Sequence, residues 1–295
     1  MASSSSIIKL SNISKNFNKT KALDDVSFKI PLNSIFGILG PNGSGKSTIM
    51  RILANLITKW DGNIFFHNSN LHADKNYLKR FGFIIESPCF YEYLSARTNL
   101  EILSRLTFSP KERIDELLDM VDLLDRSNEK VSHFSYGMKQ RLGIAQALLH
   151  DPEILILDEP NNGLDPVGMN QIADIIFHLK EKGKTICIST HSLNDVDRLC
   201  SDVAILSKGK LLISDSMDNI NSNHRYYRLE VSDIDKEINN LKKLKRLKIF
   251  FKQRNTILLS QHCDEVPLEV LCDSAKNSFI ESISRESSLI EFFYV

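Results

Sequence analysis

Nine consecutive residues, Gly40-Pro41-Asn42-Gly43-Ser44-Gly45-Lys46-Ser47-Thr48, stand between the apolar run Ser34 to Leu39 and a helix-favouring stretch from Thr48 to Ile57. Strand, glycine-rich loop and helix in that order restrict the chain to folds in which a β-strand runs straight into a helix N-terminus. Gly43 and Gly45 let the backbone turn so that successive N–H groups point inward at an anion, and the helix adds its partial positive charge. Lys46 then reaches the β- and γ-phosphates of a nucleotide, and the Ser47 hydroxyl is available to Mg²⁺. A glycine-rich turn with a chance lysine would not need all three parts in sequence, so the segment is read as a nucleotide site.

Further along, Ile154-Leu155-Ile156-Leu157-Asp158-Glu159-Pro160 is an apolar strand ending in two carboxylates. Ligands of open α/β sheets bind at the carboxyl ends of strands. Asp158 suits a Mg²⁺-linked role because Mg²⁺ takes hard oxygen ligands and keeps several waters. Glu159 is then free to orient or deprotonate an attacking water. Alone, a strand with two acids reads as a solvated strand end; paired with the phosphate loop it reads as catalytic. The following strand ends in Ile188-Ser189-Thr190-His191, which brings an imidazole to the same sheet edge, able to hydrogen-bond a phosphate or relay a proton.

Short β-rich runs come first, at Ile7 to Leu10, Val26 to Ile30, Ile35 to Leu39, Ile64 to His67 and Gly82 to Ile85, separated by turn residues. From Ser95 to about His150 the period becomes helical, with Ile114, Leu117, Leu118, Val121 and Leu124 behind a Ser109-Pro110 start. Buried apolar runs at Ile154 to Leu157, Thr185 to Ile188 and Val203 to Leu206 then alternate with helical patterns at Met169 to Lys182 and Leu193 to Leu199, which argues for a parallel α/β core. A linker is expected near Asp218 to His224. The tail reads strand, helix, strand, strand, helix, strand, with its second helix from Val266, a small α+β unit of the split-βαβ kind.

Thirty-seven basic and thirty-seven acidic residues cancel, so no global field draws the chain to nucleic acid, and no nucleic-acid partner is expected. A local cluster, Lys242, Lys243, Lys245, Arg246 and Lys248, could touch anionic lipid or nucleic acid but reads first as a solvated helix face and is assigned no function. Five scattered cysteines without a C-x-x-C pair suggest neither a disulfide framework nor a zinc site and fit a reducing cytosol. No signal core and no apolar stretch of about 18 residues occurs, so a chain neither secreted nor membrane-spanning is expected.

The residues together resemble the nucleotide-binding subunits of ABC transporters over about residues 5 to 220. Gly40 to Thr48 matches the Walker A loop, Ile154 to Glu159 the Walker B strand, and Phe134-Ser135-Tyr136-Gly137-Met138-Lys139-Gln140-Arg141 the family signature LSGGQ at Ser135 and Gly137. Phe134, Tyr136 and Met138 depart from it. Asn162-Gly163-Leu164-Asp165 resembles the D-loop, His191 the switch histidine, and Phe17 the A-loop aromatic that stacks on adenine, where a ring is what stacking needs. Glu86 stands where most of the family has the Q-loop glutamine, as a hard-oxygen Mg²⁺ ligand that adds negative charge near the γ-phosphate.

The resemblance implies an α/β fold: a nucleotide-binding domain over 1–220, with a RecA-like core, an antiparallel β subdomain and a helical subdomain at about 88–150, followed by a small α+β appendage over 221–295. It implies ATP and Mg²⁺, a second ATPase subunit packed head to tail, read as a homodimer, and integral-membrane permease subunits. It places the chain peripherally on the cytoplasmic face of the membrane. Ile85-Glu86-Ser87-Pro88 followed by Phe90-Tyr91, together with the Phe134 segment, resembles a narrower group: the ATPases of lantibiotic-immunity and bacitracin-type self-protection exporters. An antimicrobial peptide is therefore the expected indirect substrate. Export of a lipid, polysaccharide or drug, a non-transport ATPase role, and a nucleotide-binding regulator that barely hydrolyses ATP are the alternatives.

Overall fold

In the computed structural model the chain separates into two compact units, Met1–Ser214 and Asp215–Val295. The structure describes residues 6–73, 75–242, 247–263, 265, 267–268 and 279–293.

The first unit opens with two long antiparallel strands, β1 (Ser6–Phe17) and β2 (Thr20–Pro31). Next come β3 (Ile35–Leu39), α1 (Lys46–Leu53), β4 (Asp61–Phe66), the two-residue β5 (Ser69–Asn70) and β6 (Phe81–Ile84). One sheet has the order β2-β1-β4-β5. Its buried Ile8, Leu10, Ile13, Val26, Phe28 and Ile64 belong to the same hydrophobic cluster as Phe36 and Ile38 of β3 and Ile49 and Met50 of α1. α1 stops at Leu53, short of the expected Ile57, where Asn55 turns left-handed at φ 57°.

A helical segment follows: α2 (Ala96–Thr107), α3 (Glu112–Met120) and α4 (Tyr136–Ala147). Ser95 caps α2 through Thr98 N. α3 starts two residues after the Ser109-Pro110 signal and ends before Val121 and Leu124, which lie outside it. α4 buries Met138, Leu142, Ile144 and Ala145 together with Gln140 and Arg141, so it is enclosed on most sides and shows little helical periodicity.

The remaining elements of this unit are β7 (Ile154–Asp158), α5 (Pro166–Glu181), β8 (Thr185–Thr190), α6 (Leu193–Leu199), β9 (Asp202–Ser207) and β10 (Lys210–Ser216). The second sheet runs β10-β9-β3-β8-β7-β6, with β6, β7, β8, β3 and β9 paired in parallel. Every residue of β3, β7 and β8 is buried, as expected where helices cover both faces of a parallel sheet. The Gly82 run, grouped by sequence with the early β-strands, is β6 at the edge of this sheet. α5 begins three residues earlier than its apolar period because Asp165 caps it and Pro166 fits its first turn.

The second unit holds α7 (Met217–Asn223), β11 (His224–Val231), α8 (Ile234–Leu241), β12 (Leu247–Gln253), β13 (Thr256–His262) and β14 (Ile280–Glu286). Where a linker was expected there is a helix, capped by Ser216 through Asn219 N, and the division falls six residues earlier than position 220. The antiparallel order β12-β13-β11-β14 buries Tyr227, Leu229, Val231, Ile257 and Leu259 with Ile238 and Leu241 of α8. The helix expected from Val266 and most of the Lys242 to Lys248 cluster lie outside the described residues.

Candidate functional site

The parallel register of β3, β8 and β7 brings Leu39, Thr190 and Asp158 to one sheet edge, and the loop, the two acids and the histidine follow from those strand ends. Gly40 N donates to Thr190 O at 3.3 Å, and Gly209 N donates to Ser44 O at 3.1 Å, so the Gly40–Gly45 loop is held by β8 on one side and by the turn after β9 on the other. A Cβ on Gly40 would meet Leu206 O at 2.3 Å, and Gly45 turns at φ 108° with Ala22 O at 2.9 Å from a Cβ; neither position has room for a side chain. Pro41, Asn42 and Gly43 are exposed, and Ser47 and Thr48 open α1. The Ser44 hydroxyl is buried with no protein partner, an orphaned donor inside a loop built to hold an anion.

Lys46 is 4% exposed. Its ammonium donates to Gly40 O at 2.8 Å and Pro41 O at 3.3 Å and stands 3.5 Å from Glu159 Oε1. Ser47 Oγ donates to Asp158 Oδ1 at 3.4 Å, and Ser189 Oγ donates to the same oxygen. Asp158, itself buried, pushes the buried Cys187 thiol further above its usual range, after burial itself. Among the described residues no preassembled cluster of three or more His, Cys, Asp or Glu exists to cage a metal. A hydroxyl and a carboxylate in contact instead fit a hard cation that keeps most of its waters.

Glu159 sits just beyond β7 in the left-handed region, φ 47°, a conformation costly for a non-glycine residue and found where surrounding structure enforces it. Its N–H donates to Ser189 Oγ at 2.9 Å. Its side chain lies between two partners, Lys46 on Oε1 and His191 Nδ1 on Oε2 at 3.0 Å. A carboxylate only accepts, so Nδ1 carries the hydrogen and the other ring nitrogen of this half-exposed histidine stays open to a ligand. Lysine, serine, aspartate, glutamate and histidine thus meet at one edge, as the sequence predicts.

The other expected site residues stand apart from that cluster or are engaged locally. Glu86, at φ 65° after β6, is ion-paired with Arg51 of α1, and its side chain is 67% exposed. Ser135 caps α4 by accepting from Met138 N at 3.3 Å, and Gly137 borders Leu164. Asp165 caps α5 through Gly168 N at 2.8 Å. Phe17 is exposed near the β1–β2 turn with the Lys15 ammonium 4.9 Å from its ring centre. Sequence reasoning missed Ser189, Thr190, Asn161 and Asp195, whose hydrogen bonds hold the strand ends and the loop after Glu159. The one readable signal was the helix-start pattern Ser192 to Asp195.

A family model described as ABC transporter matches residues 23–162. The chain is 41% identical over 238 residues, 79% of its length and 78% of the relative's, to the bacitracin transport ATP-binding protein BcrA of Bacillus licheniformis. It is 39% identical over 212 residues, 72% of its length and 92% of the relative's, to the lantibiotic transport ATP-binding protein SrtF of Streptococcus pyogenes. Among solved structures, cbiO1 of Clostridium perfringens, described as part of an ABC transporter complex, superposes with a TM-score of 0.67 at 25% identity over 73% of this chain and 90% of that one. The fold, the convergent strand ends and this likeness agree: the chain belongs to the ATP-binding subunits of ABC transporters, the family that hydrolyses ATP to drive transport.

Proposed function

We propose that this subunit powers a multicomponent exporter that removes a lantibiotic or similar antimicrobial peptide from the membrane of the cell that carries it. The ATPase part rests on one observation, the meeting of Lys46, Ser47, Asp158, Glu159 and His191 at a single sheet edge. The peptide part rests on the relatives named for bacitracin and lantibiotic transport. No helix among the described residues is long and apolar enough to cross a membrane. In this reading the chain works at the cytoplasmic face with separate permease subunits, which the relatives named as transport ATP-binding proteins support.

Ser47 and Asp158 would hold Mg²⁺, which when bound would supply neutralisation of the phosphate charge. The loop N–H groups and Lys46 hold the β- and γ-phosphates, which compete for the ammonium now facing two carbonyls and Glu159. Glu159, released from that ammonium, accepts the proton of the attacking water, and His191 fixes its orientation through Nδ1. Phe17 stacks on the adenine. Ser135, Gly137 and Asp165 act across a head-to-tail pair of cassettes, where the signature of one closes over the phosphates of the other, so an isolated copy turns over slowly. Residues of the first unit form the ATPase domain, and the second unit is an appendage.

The test is antibiotic susceptibility of cells expressing the chain with its neighbouring permease genes. Protection against a lantibiotic or bacitracin that disappears with Glu159→Gln supports the proposal. Unchanged sensitivity to every such peptide refutes the substrate and leaves the ATPase assignment intact.

A further inference from the structure

A short helix beside the switch histidine contains a carboxylate engaged in an unexpected way. Ser192 and Asp195 have the spacing of a capping box, in which the acid would bond back to the N–H of the cap residue. Half of the box is present: Ser192 Oγ accepts from Asp195 N at 3.3 Å. The other half is not, because Ser192 N donates to Thr190 Oγ1 at 3.0 Å. Asp195 spends its two oxygens elsewhere. Oδ2 accepts from the Thr190 hydroxyl at 2.9 Å, and Oδ1 accepts from the Asn161 amide at 3.0 Å. Thr190 is 3% and Asn161 7% exposed. A carboxylate has no hydrogen to give, so the Asn161 amide must turn its NH₂ toward Asp195, which fixes the orientation of that side chain.

We infer that Asp195 is a positioning residue that locks the loop Asn161–Asp165 to the end of β8, and thereby sets the register of Glu159 against His191. Thr190 directly precedes His191. Asn161 lies two residues beyond Glu159, in a turn closed by Asn162 N donating to Glu159 O at 3.0 Å and Leu164 N donating to Asn161 O at 3.2 Å. One carboxylate therefore ties together the two backbones that carry the general base and its imidazole partner. The same loop reaches the signature: a Cβ on Gly163 would lie 3.5 Å from the Tyr136 ring, and one on Gly137 would lie 3.5 Å from a Leu164 methyl. Displacing the loop shifts both contacts. The Asp195 carboxylate is engaged by Thr190 and Asn161 rather than by the phosphate loop, so its removal acts on turnover rather than on nucleotide affinity.

The experiment is hydrogen exchange and steady-state hydrolysis on the full chain carrying Asp195→Ala, Asp195→Asn, Asn161→Ala, or Asp195→Ala with Asn161→Ala. With Asp195→Ala the amides of Asn162 and Leu164 exchange at least about fivefold faster while α5 and the rest of α6 keep their protection. Asp195→Asn, which keeps the shape but only one accepting oxygen, falls between. Turnover at saturating ATP drops about tenfold with KM within about twofold, and the double variant is no worse than Asp195→Ala alone because both remove the same bond. Unchanged exchange at 161–165 overturns the inference. So does faster exchange spread through α6 with a lower melting temperature, the mark of a plain helix cap, or a loss that appears in KM. The exchange arm reads the outcome even where turnover of the isolated chain is too slow to measure.

Discussion

The two ends of strand β7 carry the same kind of residue and do opposite things. At its amino end Asp151 and Glu153 are ion-paired with cations, Lys184 and Arg113 on Asp151 and Arg80 on Glu153, with the His67 ring 2.9 Å from the same Glu153 carboxylate. At its carboxyl end Asp158 and Glu159 face hydroxyls, an imidazole and one buried lysine already shared with two carbonyls. Acids matched by local cations have little left to offer a ligand. Acids held by hydroxyls, an imidazole and a contested lysine keep capacity for a cation, a water or a phosphate, and the parallel register gathers them at one edge. Chemistry here follows from what the partners leave unspent, not from the presence of charge.

That contrast breaks most readily at Lys46. Lys46→Ala should lower hydrolysis about a thousandfold, to background in a phosphate-release assay, because its ammonium is a buried cation aimed into the site edge. Near-normal turnover would put the phosphates elsewhere. Glu159→Gln should reduce turnover about a hundredfold or more while nucleotide affinity, read by fluorescent ATP titration, changes only a few-fold. With ATP the same variant should elute as a dimer in size-exclusion chromatography; a monomer at every ATP concentration would count against the shared site.

Glu86 sharpens the comparison, since it follows a strand at the carboxyl edge but is wired like the amino-end acids, in an exposed ion pair with Arg51. Glu86→Gln should change stability by less than about 1 kcal/mol in thermal unfolding, the range for exposed pairs. Hydrolysis should stay within about threefold, and a much larger loss would move Glu86 into the reacting set. The smallest effect belongs to the amino end itself. The hydrogen bond from Lys184, and then the nearby charge of Arg113, hold the Asp151 carboxyl below its ordinary range. A carboxyl depressed in the folded state stabilises above its unfolded pKa, and that contribution is lost as pH falls through the folded value. Lys184→Ala should therefore cost less than about 1 kcal/mol at neutral pH, discounted because Asp151 is largely exposed, and the difference from wild type should shrink in acid. A difference that grew on acidification would reverse the sign and discard this pairing.

By itself the sequence determined the loop, both acids, the histidine and the strands that carry them, because each is written in contiguous residues: an apolar run, then glycines or polar groups at a fixed spacing. It also determined the change to a helical period after Ser95 and the parallel core, through apolar spacing and through runs apolar on both faces. Tertiary structure decided the rest. The engagement of Glu86 by Arg51, the bridging of Thr190 and Asn161 by Asp195, and the joint grip of Ser47 and Ser189 on Asp158 join residues 5 to 111 positions apart. Sequence spacing carries no signal for such pairs. The expected linker failed for a related reason: Ser216 turned a polar stretch into a capped helix, and polarity alone does not separate a solvated helix from a loop. Local chemistry travels along the chain, whereas the partner of a side chain is chosen only when the sheet closes and distant strand ends come together.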